Sequence, residues 1–321
     1  MSIGCFVSTG RALQTAVDRV RLAEELGYDA AYVTHINGRD ALQVCMAYTC
    51  ATERIRVGTG VVPIYTRTPA TMAMEAGTIA DAGGGRFNLG LGVSHRPVVE
   101  HWHGQHIRKP VSEMREYAQI TRAILRGERP PEGDIWKTNM RLDGIGPFPD
   151  LPMLVAALSP NMLRLAGEVA DGVVLWLCSP SYVTDVVIPH VREGRERVGL
   201  TLEGFDIVAA VPCALTDDRA AVHATMRRDL LPYFGLPFYR AMIDRSGFGA
   251  DLAAYDAAGD DPAAMAAGIS DDFLDALAAV GDEAAVRAGV ERYRAAGVTS
   301  PCVGPIAHTD VDATLRAAAP S

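Results

Sequence analysis

The sequence predicts a closed (β/α)8 TIM barrel, an α/β fold, from three observations. Short apolar segments alternate with segments of helical periodicity eight times along the 321 residues, which indicates parallel strands joined by helices. The strand segments are apolar almost throughout, as strands covered on both faces are. An open doubly wound sheet is the alternative, but no Gly-x-Gly-x-x-Gly follows the first strand. Because a barrel of this length forms one domain, we predict a single domain over residues 1–321.

Each predicted strand is a short apolar run, and each is followed by a predicted helix. The strands are predicted at residues 3–7, 30–33, 55–62, 87–91, 153–157, 173–177, 205–215 and 300–303. The helices are predicted at residues 15–26, 40–50, 71–82, 112–125, 161–170, 181–198, 282–296 and 311–318. Apolar residues recur there at three- and four-residue spacing. Gly27 suits a helix C-terminus, Asp40 an N-cap and Pro69 a first helical turn.

Two long segments interrupt this alternation. Residues 127–152 are rich in proline and glycine and have no strong period, so they are predicted to be a connecting excursion. Residues 217–280 are rich in alanine and too long for a single crossover. Pro232, Pro237 and Pro262 are predicted to divide this segment into several helices. We therefore predict a helical insertion at 217–280, between strands seven and eight.

Charge and hydropathy exclude some functions. The 30 Lys and Arg residues against 39 Asp and Glu residues give a net charge of −9, which argues against a nucleic-acid partner. No apolar run approaches the roughly 18 residues of a membrane span. The first residues lack the basic segment and long apolar block of a secretory signal. We therefore expect a cytoplasmic protein with no membrane partner.

Cysteine and histidine positions argue against a metal site. The six cysteines are scattered, form no Cys-x-x-Cys pair and mostly lie in apolar runs, which is typical of buried thiols. His101, His103 and His106 are close in sequence and are interpreted as part of a polar surface loop. We predict no metal.

In a barrel of this kind the chemistry lies at the carboxyl ends of the strands. His35 follows the second strand and His95 the fourth, and a histidine there can transfer a proton near neutral pH. From position alone, it is equally possible that both are loop histidines that only form hydrogen bonds. The segments 92–94 and 159–161 can present backbone N–H groups to an anion such as phosphate. Ser159 also fits a simple helix N-cap.

Four segments carry a resemblance to a known family. They are IRVGTGVVPIYTRTP at 55–69, GGRFNLGLGVS at 84–94, AALSP at 156–160 and ADGVV at 170–174. In this order they resemble the bacterial luciferase-like monooxygenase superfamily, and within it the branch that uses coenzyme F420, a 5-deazaflavin. The match covers about residues 28–177, whereas the chain beyond residue 217 is much less diagnostic.

The resemblance implies a TIM barrel with a flavin or deazaflavin across the strand ends, and a non-proline cis peptide at Gly60–Val61. It places His35 near the reactive carbon, with Thr34 where several relatives carry Asp. His95 replaces a glutamate of a sugar-phosphate-oxidising relative, which argues against that substrate. The implied cofactor-binding residues are Thr34, Gly60, Val61, Gly92, Val93, Ser94, His95, Ala157, Leu158, Ser159 and Asn161.

On the substrate side we predict roles for Arg67, Arg96 and Trp176. The two arginines, with Arg39, could bind the carboxylates of the F420 tail or form surface ion pairs. Trp176 could also be barrel core or the floor beneath the cofactor ring. A roof is predicted from residues 102–110 and from the insertion. The insertion's aromatic residues either contact substrate or, as we favour, form its own core; they are Tyr233, Phe234, Phe238 and Tyr239.

The predicted function is hydride transfer between the deazaflavin C5 and a small organic substrate, with His35 and His95 as the catalytic residues that handle the proton. The alternative is an FMN-dependent monooxygenase supplied by a separate flavin reductase, because a deazaflavin does not readily activate dioxygen. A third possibility is a flavin-binding barrel without turnover. The resemblance also implies a homodimer, paired through the helices beside strands two and three.

Overall fold

A computed structural model describes residues 2–320 and contains a ring of eight parallel strands. The strands are β1 Gly4–Phe6, β2 Ala30–Val33, β3 Arg56–Thr59, β4 Val62–Pro63, β5 Phe87–Gly92, β6 Met153–Ala156, β7 Gly172–Leu175, β8 Asp206–Leu215, β9 Ala279–Gly281 and β10 Ser300–Pro305. The ring runs β1-β2-β3-β5-β6-β7-β8-β10, and β10 pairs with β1 to close it. The short strands β4 and β9 pair with β5 and β8. The predicted TIM barrel is confirmed, and the open sheet is excluded.

Helices surround the ring. They are α1 Leu13–Glu25, α2 Ala41–Ala51, α3 Pro69–Ala82, α4 Arg96–His103, α5 Pro110–Leu125, α6 Pro160–Val169, α7 Pro180–Tyr182, α8 Ile188–Arg197, α9 Arg219–Phe234, α10 Pro237–Arg245, α11 Gly249–Ala257, α12 Pro262–Ala267, α13 Asp271–Leu277, α14 Glu283–Ala295 and α15 Val311–Ala317. A π-helical turn at Val183–Val187 joins α7 to α8. Within residues 2–320, no helix is both long and apolar enough to cross a membrane.

Two predicted elements differ from the structure. The third strand is divided, because β3 ends at Thr59 and β4 begins at Val62 on either side of a cis Gly60–Val61 peptide, the bond that the resemblance implies. The prediction that His101, His103 and His106 belong to a polar surface loop is wrong in part, because residues 96–103 form α4. Pro97 in the first turn and Gly104 in the left-handed conformation, with φ of 62°, delimit this helix.

The predicted helical insertion is confirmed as five helices, α9–α13, between β8 and β9. Pro237 and Pro262 begin α10 and α12, as predicted. Pro232 does not break the chain into a new helix, because α9 continues through it to Phe234. A proline two residues from a helix end removes a single backbone hydrogen bond, and that loss is tolerated there.

Aromatic and aliphatic side chains fill the inside of the ring. Tyr32 is 1% exposed and packs with Ala30, Leu154, Val174, Val208 and Cys302, while Phe6 and Val61 cover this group. The Tyr32 hydroxyl accepts a hydrogen bond from Asn88 Nδ2 at 2.9 Å. The barrel interior is therefore a packed core, and ligands must bind at its ends.

Glu24, near the end of α1, fastens the first β-α unit to the start of β3. Its Oε1 accepts hydrogen bonds from the backbone N–H groups of Glu53, Arg54 and Ile55 at 2.9, 2.6 and 2.9 Å. Burial alone would raise the pKa of Glu24. The three backbone donors and the Arg54 charge together have a larger, opposite effect, so the pKa lies below its ordinary value. The ionised carboxylate is thus the form that the fold prefers.

Glu24→Gln is expected to lower the free energy of unfolding by about 1 kcal/mol at neutral pH, because the amide oxygen accepts the same bonds without the charge. Since the folded-state pKa is depressed, the carboxylate stabilises the fold above its unfolded-state pKa. This contribution is lost as the pH falls through the folded-state pKa. Urea unfolding at neutral pH and near pH 3 measures the difference. Glu25→Gln, at an exposed neighbour, is the matched control. An effect of equal size at both pH values would contradict this assignment.

Candidate active site

His35 lies at the carboxyl end of β2 in a largely buried position. Its Nδ1 accepts a hydrogen bond from the Ala41 N–H at 3.3 Å and lies 3.7 Å from Asp40 Oδ2. Burial lowers the pKa of His35, the Asp40 carboxylate opposes this, and Arg67 and His103 lower it further. At neutral pH the ring is therefore uncharged. Because Nδ1 accepts, the ring hydrogen is on Nε2.

Asp40 connects His35 to the start of α2. Its Oδ1 caps the helix by accepting hydrogen bonds from the N–H groups of Leu42 and Gln43 at 3.0 and 3.2 Å, as the sequence predicts. Its Oδ2 forms an ion pair with Arg67. Burial raises the pKa of Asp40, but Arg67 and the backbone donors outweigh burial and lower the pKa. Asp40 therefore stays ionised beside His35.

Arg67 is occupied by contacts within the protein. Besides the Asp40 pair, its Nε lies 2.6 Å from Glu75 Oε2 and its Nη1 donates to Thr66 Oγ1 at 3.0 Å. The side chain is 11% exposed. All three guanidinium nitrogens thus have protein partners, and the predicted substrate contact is not supported by this geometry. We assign Arg67 to holding Asp40 in place.

The other two arginines also have protein partners. Arg96 is 60% exposed and its Nη1 lies 2.6 Å from Glu100 Oε1, one turn further along α4. Such a surface ion pair is the alternative role predicted for Arg96 from the sequence. A substrate contact by Arg96 stays a prediction. Arg39 donates to the carbonyl oxygens of Thr9, Gly10 and Arg11, so it joins the loops that follow β1 and β2.

His95 begins α4 at the carboxyl end of β5 and packs against the insertion. Its ring centroid lies 6.1 Å from that of Tyr233 and 5.6 Å from that of Tyr239, both in edge-on geometry. Burial lowers the pKa of His95. Trp176, directly after β7, lies 6.2 Å from Tyr233. Both predicted residues therefore stand at the mouth of the barrel, under α9 and α10.

The four aromatic residues of the insertion are predicted to form its own core, and this prediction is correct for one of them. Phe234 packs on Phe273 and Tyr255, with centroids 5.4 and 5.6 Å away, inside the insertion. Tyr233 and Tyr239 instead face His95, as described above, and Phe238 is 64% exposed. Neighbours on a helix point in different directions, so Tyr233 and Phe234 serve different surfaces.

His103 is a site residue that the sequence interpretation missed. It lies in the last turn of α4, close enough to His35 to lower the pKa of that ring. Its Nε2 is buried and has no hydrogen-bond partner within residues 2–320. His103 follows the buried Val99 by four residues, so the helical period would have placed it inward once α4 was recognised. Across the described chain, no three His, Cys, Asp or Glu side chains are grouped to hold a metal.

Two helix N-termini at the mouth lack a side-chain cap. α4 and α6 begin after the neighbouring strands β5 and β6, and neither His95 nor Ser159 caps its helix. Ser159 therefore occupies the N-cap position but leaves its hydroxyl and the first N–H groups of α6 available. Such N–H groups favour anions. Ser94, with φ of 58°, lies between β5 and α4 in a conformation that is uncommon outside functional sites.

The predicted cofactor-binding residues come together beside these helices. Val61, after the cis bond, lies against Gly92 so closely that a Cβ at position 92 would be 2.5 Å from Val61 Cγ2. The side chains of Val93 and Ser94 are partly exposed beyond β5, and Ala157 and Leu158 follow the adjacent β6. The Leu158 carbonyl accepts from the Tyr182 hydroxyl at 2.7 Å, which fixes this turn. Thr34 and Asn161 are exposed at the rim. Their roles toward a cofactor stay predictions.

A polar cavity of about 440 Å³ lies at the opposite, amino end of the strands. Two of its charged residues, Arg122 and Asp171, are joined by a bond of 2.9 Å from Arg122 Nη2 to Asp171 Oδ2, and Arg56 donates to Asn88 Oδ1 at 3.0 Å. The histidines and open helix ends all lie at the other mouth, so we place the candidate active site there.

Comparisons with known proteins identify the family. The luciferase-like monooxygenase model matches residues 1–300. A protein of Mycobacterium tuberculosis (strain ATCC 25618 / H37Rv) named "Putative coenzyme F420-dependent oxidoreductase Rv3520c" is 31% identical over 312 residues, covering 89% of each chain.

Solved structures share the fold. The coenzyme F420 dependent tetrahydromethanopterin reductase from Methanopyrus kandleri superposes with a TM-score of 0.84 at 22% identity, covering 98% of this chain and 96% of that one. The oxygenating constituent of 3,6-diketocamphane monooxygenase from Pseudomonas putida, in complex with FMN, gives a TM-score of 0.71 at 19% identity, covering 99% and 97%. With its barrel and a family match over residues 1–300, the chain belongs to the luciferase-like monooxygenase family.

Proposed function

We propose that the protein is a coenzyme F420-dependent oxidoreductase acting on a small organic substrate. The observation that carries the proposal is the mouth of the barrel, because an uncharged His35 and two uncapped helix N-termini all follow strand ends on this side. The relative that shares 31% identity across 89% of each chain is named for F420. When bound, a deazaflavin supplies a carbon centre that gives or takes a hydride.

The residues at the mouth fit such a cofactor. Phe6 and Val61 occupy the space that a Cβ on Gly60 or Gly92 would need, and the half-buried Gly60–Val61 segment can lie against a flat ring. The backbone N–H groups after β5 and β6, at residues 92–94 and at Leu158, Ser159 and Asn161, suit a phosphate group. These backbone N–H groups carry no net charge, so they would hold an anion through their dipoles.

The proton that accompanies hydride transfer is assigned to His35 and His95. His35 has its hydrogen on Nε2, so it can donate a hydrogen bond to an oxygen at the mouth. The Ala41 N–H fixes the ring and Asp40 lies beside Nδ1, where it can stabilise a charged form. His95, packed by Tyr233 and Tyr239, is held without a charged partner and serves best as a neutral donor or acceptor.

An FMN-dependent monooxygenase is the second candidate, favoured by the similarity in fold to the FMN complex from Pseudomonas putida. The first experiment separates the two. The purified protein is titrated with F420 and with FMN, and binding is followed by fluorescence. We expect F420 to bind at least tenfold more tightly. Preference for FMN would move the protein to the monooxygenase group, and binding of neither would overturn the proposed function.

A further inference from the structure

Four aromatic side chains from separate parts of the chain form one surface at the mouth. His95 follows β5, Trp176 follows β7, and Tyr233 and Tyr239 come from α9 and α10. Tyr233 joins the others, with its centroid 4.8 Å from Tyr239, 6.1 Å from His95 and 6.2 Å from Trp176. We call these four residues the aromatic wall. Its rings pack edge to face, with centroids 4.8–6.2 Å apart.

The aromatic wall contains polar hydrogens without protein partners. Trp176 Nε1 is buried and has no partner with hydrogen-bond geometry within residues 2–320. The Trp176 N–H nevertheless lies close to the Tyr233 hydroxyl and lowers the pKa of that hydroxyl, which burial raises. Seven of the ten tyrosine hydroxyls bond to protein groups, whereas those of Tyr233, Tyr239 and Tyr255 form no such bond within the described chain. Of the polar atoms in the aromatic wall, Trp176 Nε1 is the one that is fully buried without such a partner in the described chain, and a buried donor is costly unless a ligand accepts from it.

The aromatic wall carries no ionised group. Burial keeps the His95 ring neutral and raises the pKa of both tyrosines, so their hydroxyls stay protonated. The carboxylate that acts on Tyr233 belongs to Asp229, which is exposed on α9. A ligand here therefore meets aromatic surface and hydrogen-bond donors. An anion would find no opposite charge in the wall itself, and a cation would find only the attraction of the ring faces, which the edge-on packing turns toward neighbouring rings.

We propose that the aromatic wall binds an uncharged, planar, conjugated ketone. The flat part of the ligand packs along the rings, and its oxygen accepts from the tyrosine hydroxyls or the Trp176 N–H. This rests on the proposed function, whose substrate class it names. In the reduction, hydride forms a C–H bond at the carbonyl carbon and the π pair moves to oxygen, which takes a proton. The ketone becomes a secondary alcohol and the reduced deazaflavin is oxidised.

The test uses three probes of similar shape and different charge. Acetophenone, phenyl phosphate and benzyltrimethylammonium are titrated by calorimetry into the protein with and without F420. We expect acetophenone to bind at least tenfold more tightly than either charged probe. Tighter binding of phenyl phosphate or of the ammonium ion, or no heat with acetophenone in either form, would overturn the proposal.

Conservative variants locate the binding. Tyr239→Phe, Tyr233→Phe and Trp176→Phe are each expected to raise the acetophenone Kd about threefold to tenfold and to leave the F420 Kd unchanged. Tyr255→Phe is the matched control, because Tyr255 belongs to the same insertion but packs on Phe234. Melting temperatures verify that each variant is folded.

The two proposals fail in different ways. A wild-type protein that binds acetophenone with the expected variant pattern but does not bind F420 supports the aromatic wall and contradicts the cofactor assignment. Variants that weaken F420 binding and leave the acetophenone Kd unchanged overturn the aromatic wall as a substrate site.

Discussion

Replacing His35 by alanine is expected to slow hydride transfer about 100-fold, because the reaction then lacks the group that handles the proton at the end of β2. Binding of F420 should change little, since the phosphate-binding backbone after β5 and β6 is untouched. Single-turnover measurements of F420 absorbance with substrate give the rate directly. His101→Ala, at an exposed histidine of α4, is the matched control and should keep the wild-type rate.

His95→Ala tests the second histidine in the same assay and is expected to lose a comparable factor. Unchanged hydride transfer in both variants would contradict the proposed roles. The pH profile adds an independent readout. Burial lowers the pKa of His35, so the neutral ring predominates at every pH above that lowered value. If the rate needs the neutral ring, it should fall only at a pH below the ordinary histidine pKa.

Asp40→Asn is expected to move that acid limb to still lower pH, because the Asp40 carboxylate raises the pKa of His35 and the variant removes it. Asparagine keeps an oxygen that can cap α2, so the helix should persist. An acid limb that does not move would show that another group governs the profile.

Gly90→Ala is expected to destabilise the fold by about 3 kcal/mol. A Cβ on Gly90 would overlap the Thr59 carbonyl oxygen and lie 3.0 Å from Val61 Cγ1. The Thr59 side chain already links these strands, because Thr59 Oγ1 donates to the Gly90 carbonyl at 2.8 Å and accepts from the Gly90 N–H at 2.9 Å. The methyl group would push β3 and β5 apart where both lead into the mouth.

Thermal unfolding measures this loss, and Gly38→Ala is the matched control. A Cβ on Gly38 would have no described atom within 4 Å, its chain neighbours aside, so the same substitution should leave the melting temperature almost unchanged. F420 titration of Gly90→Ala below its melting temperature should show weakened binding, since Val61 and Gly92 lie beside the displaced strand. Equal melting temperatures for Gly90→Ala and the wild type would contradict the close approach of the two strands.

Much of the fold follows from local sequence signals, and much of the site does not. The eight strands and the positions of His35 and His95 at strand ends follow from the alternation of apolar runs and helices. The sequence does not reveal α4, because the helix has only eight residues and a single buried one, Val99, which is too short a segment to repeat an apolar spacing. The contacts of Arg67 depend on where α2 and α3 lie in space, which periodicity does not contain. The orientation of Tyr233 and Tyr239 likewise depends on how the insertion packs against β5 and β7.

The closed ring has a consequence for the synthesis of the protein. β1 pairs with β10 through partners almost 300 residues apart, such as Gly4 with Cys302, and β10 also occupies the free edge of β8. During translation, both edges stay unpaired until β10 has left the ribosome. Contacts of such long range form slowly, and open strand edges promote association with other chains. Slower expression at lower temperature, or added chaperones, should therefore raise the yield of folded protein.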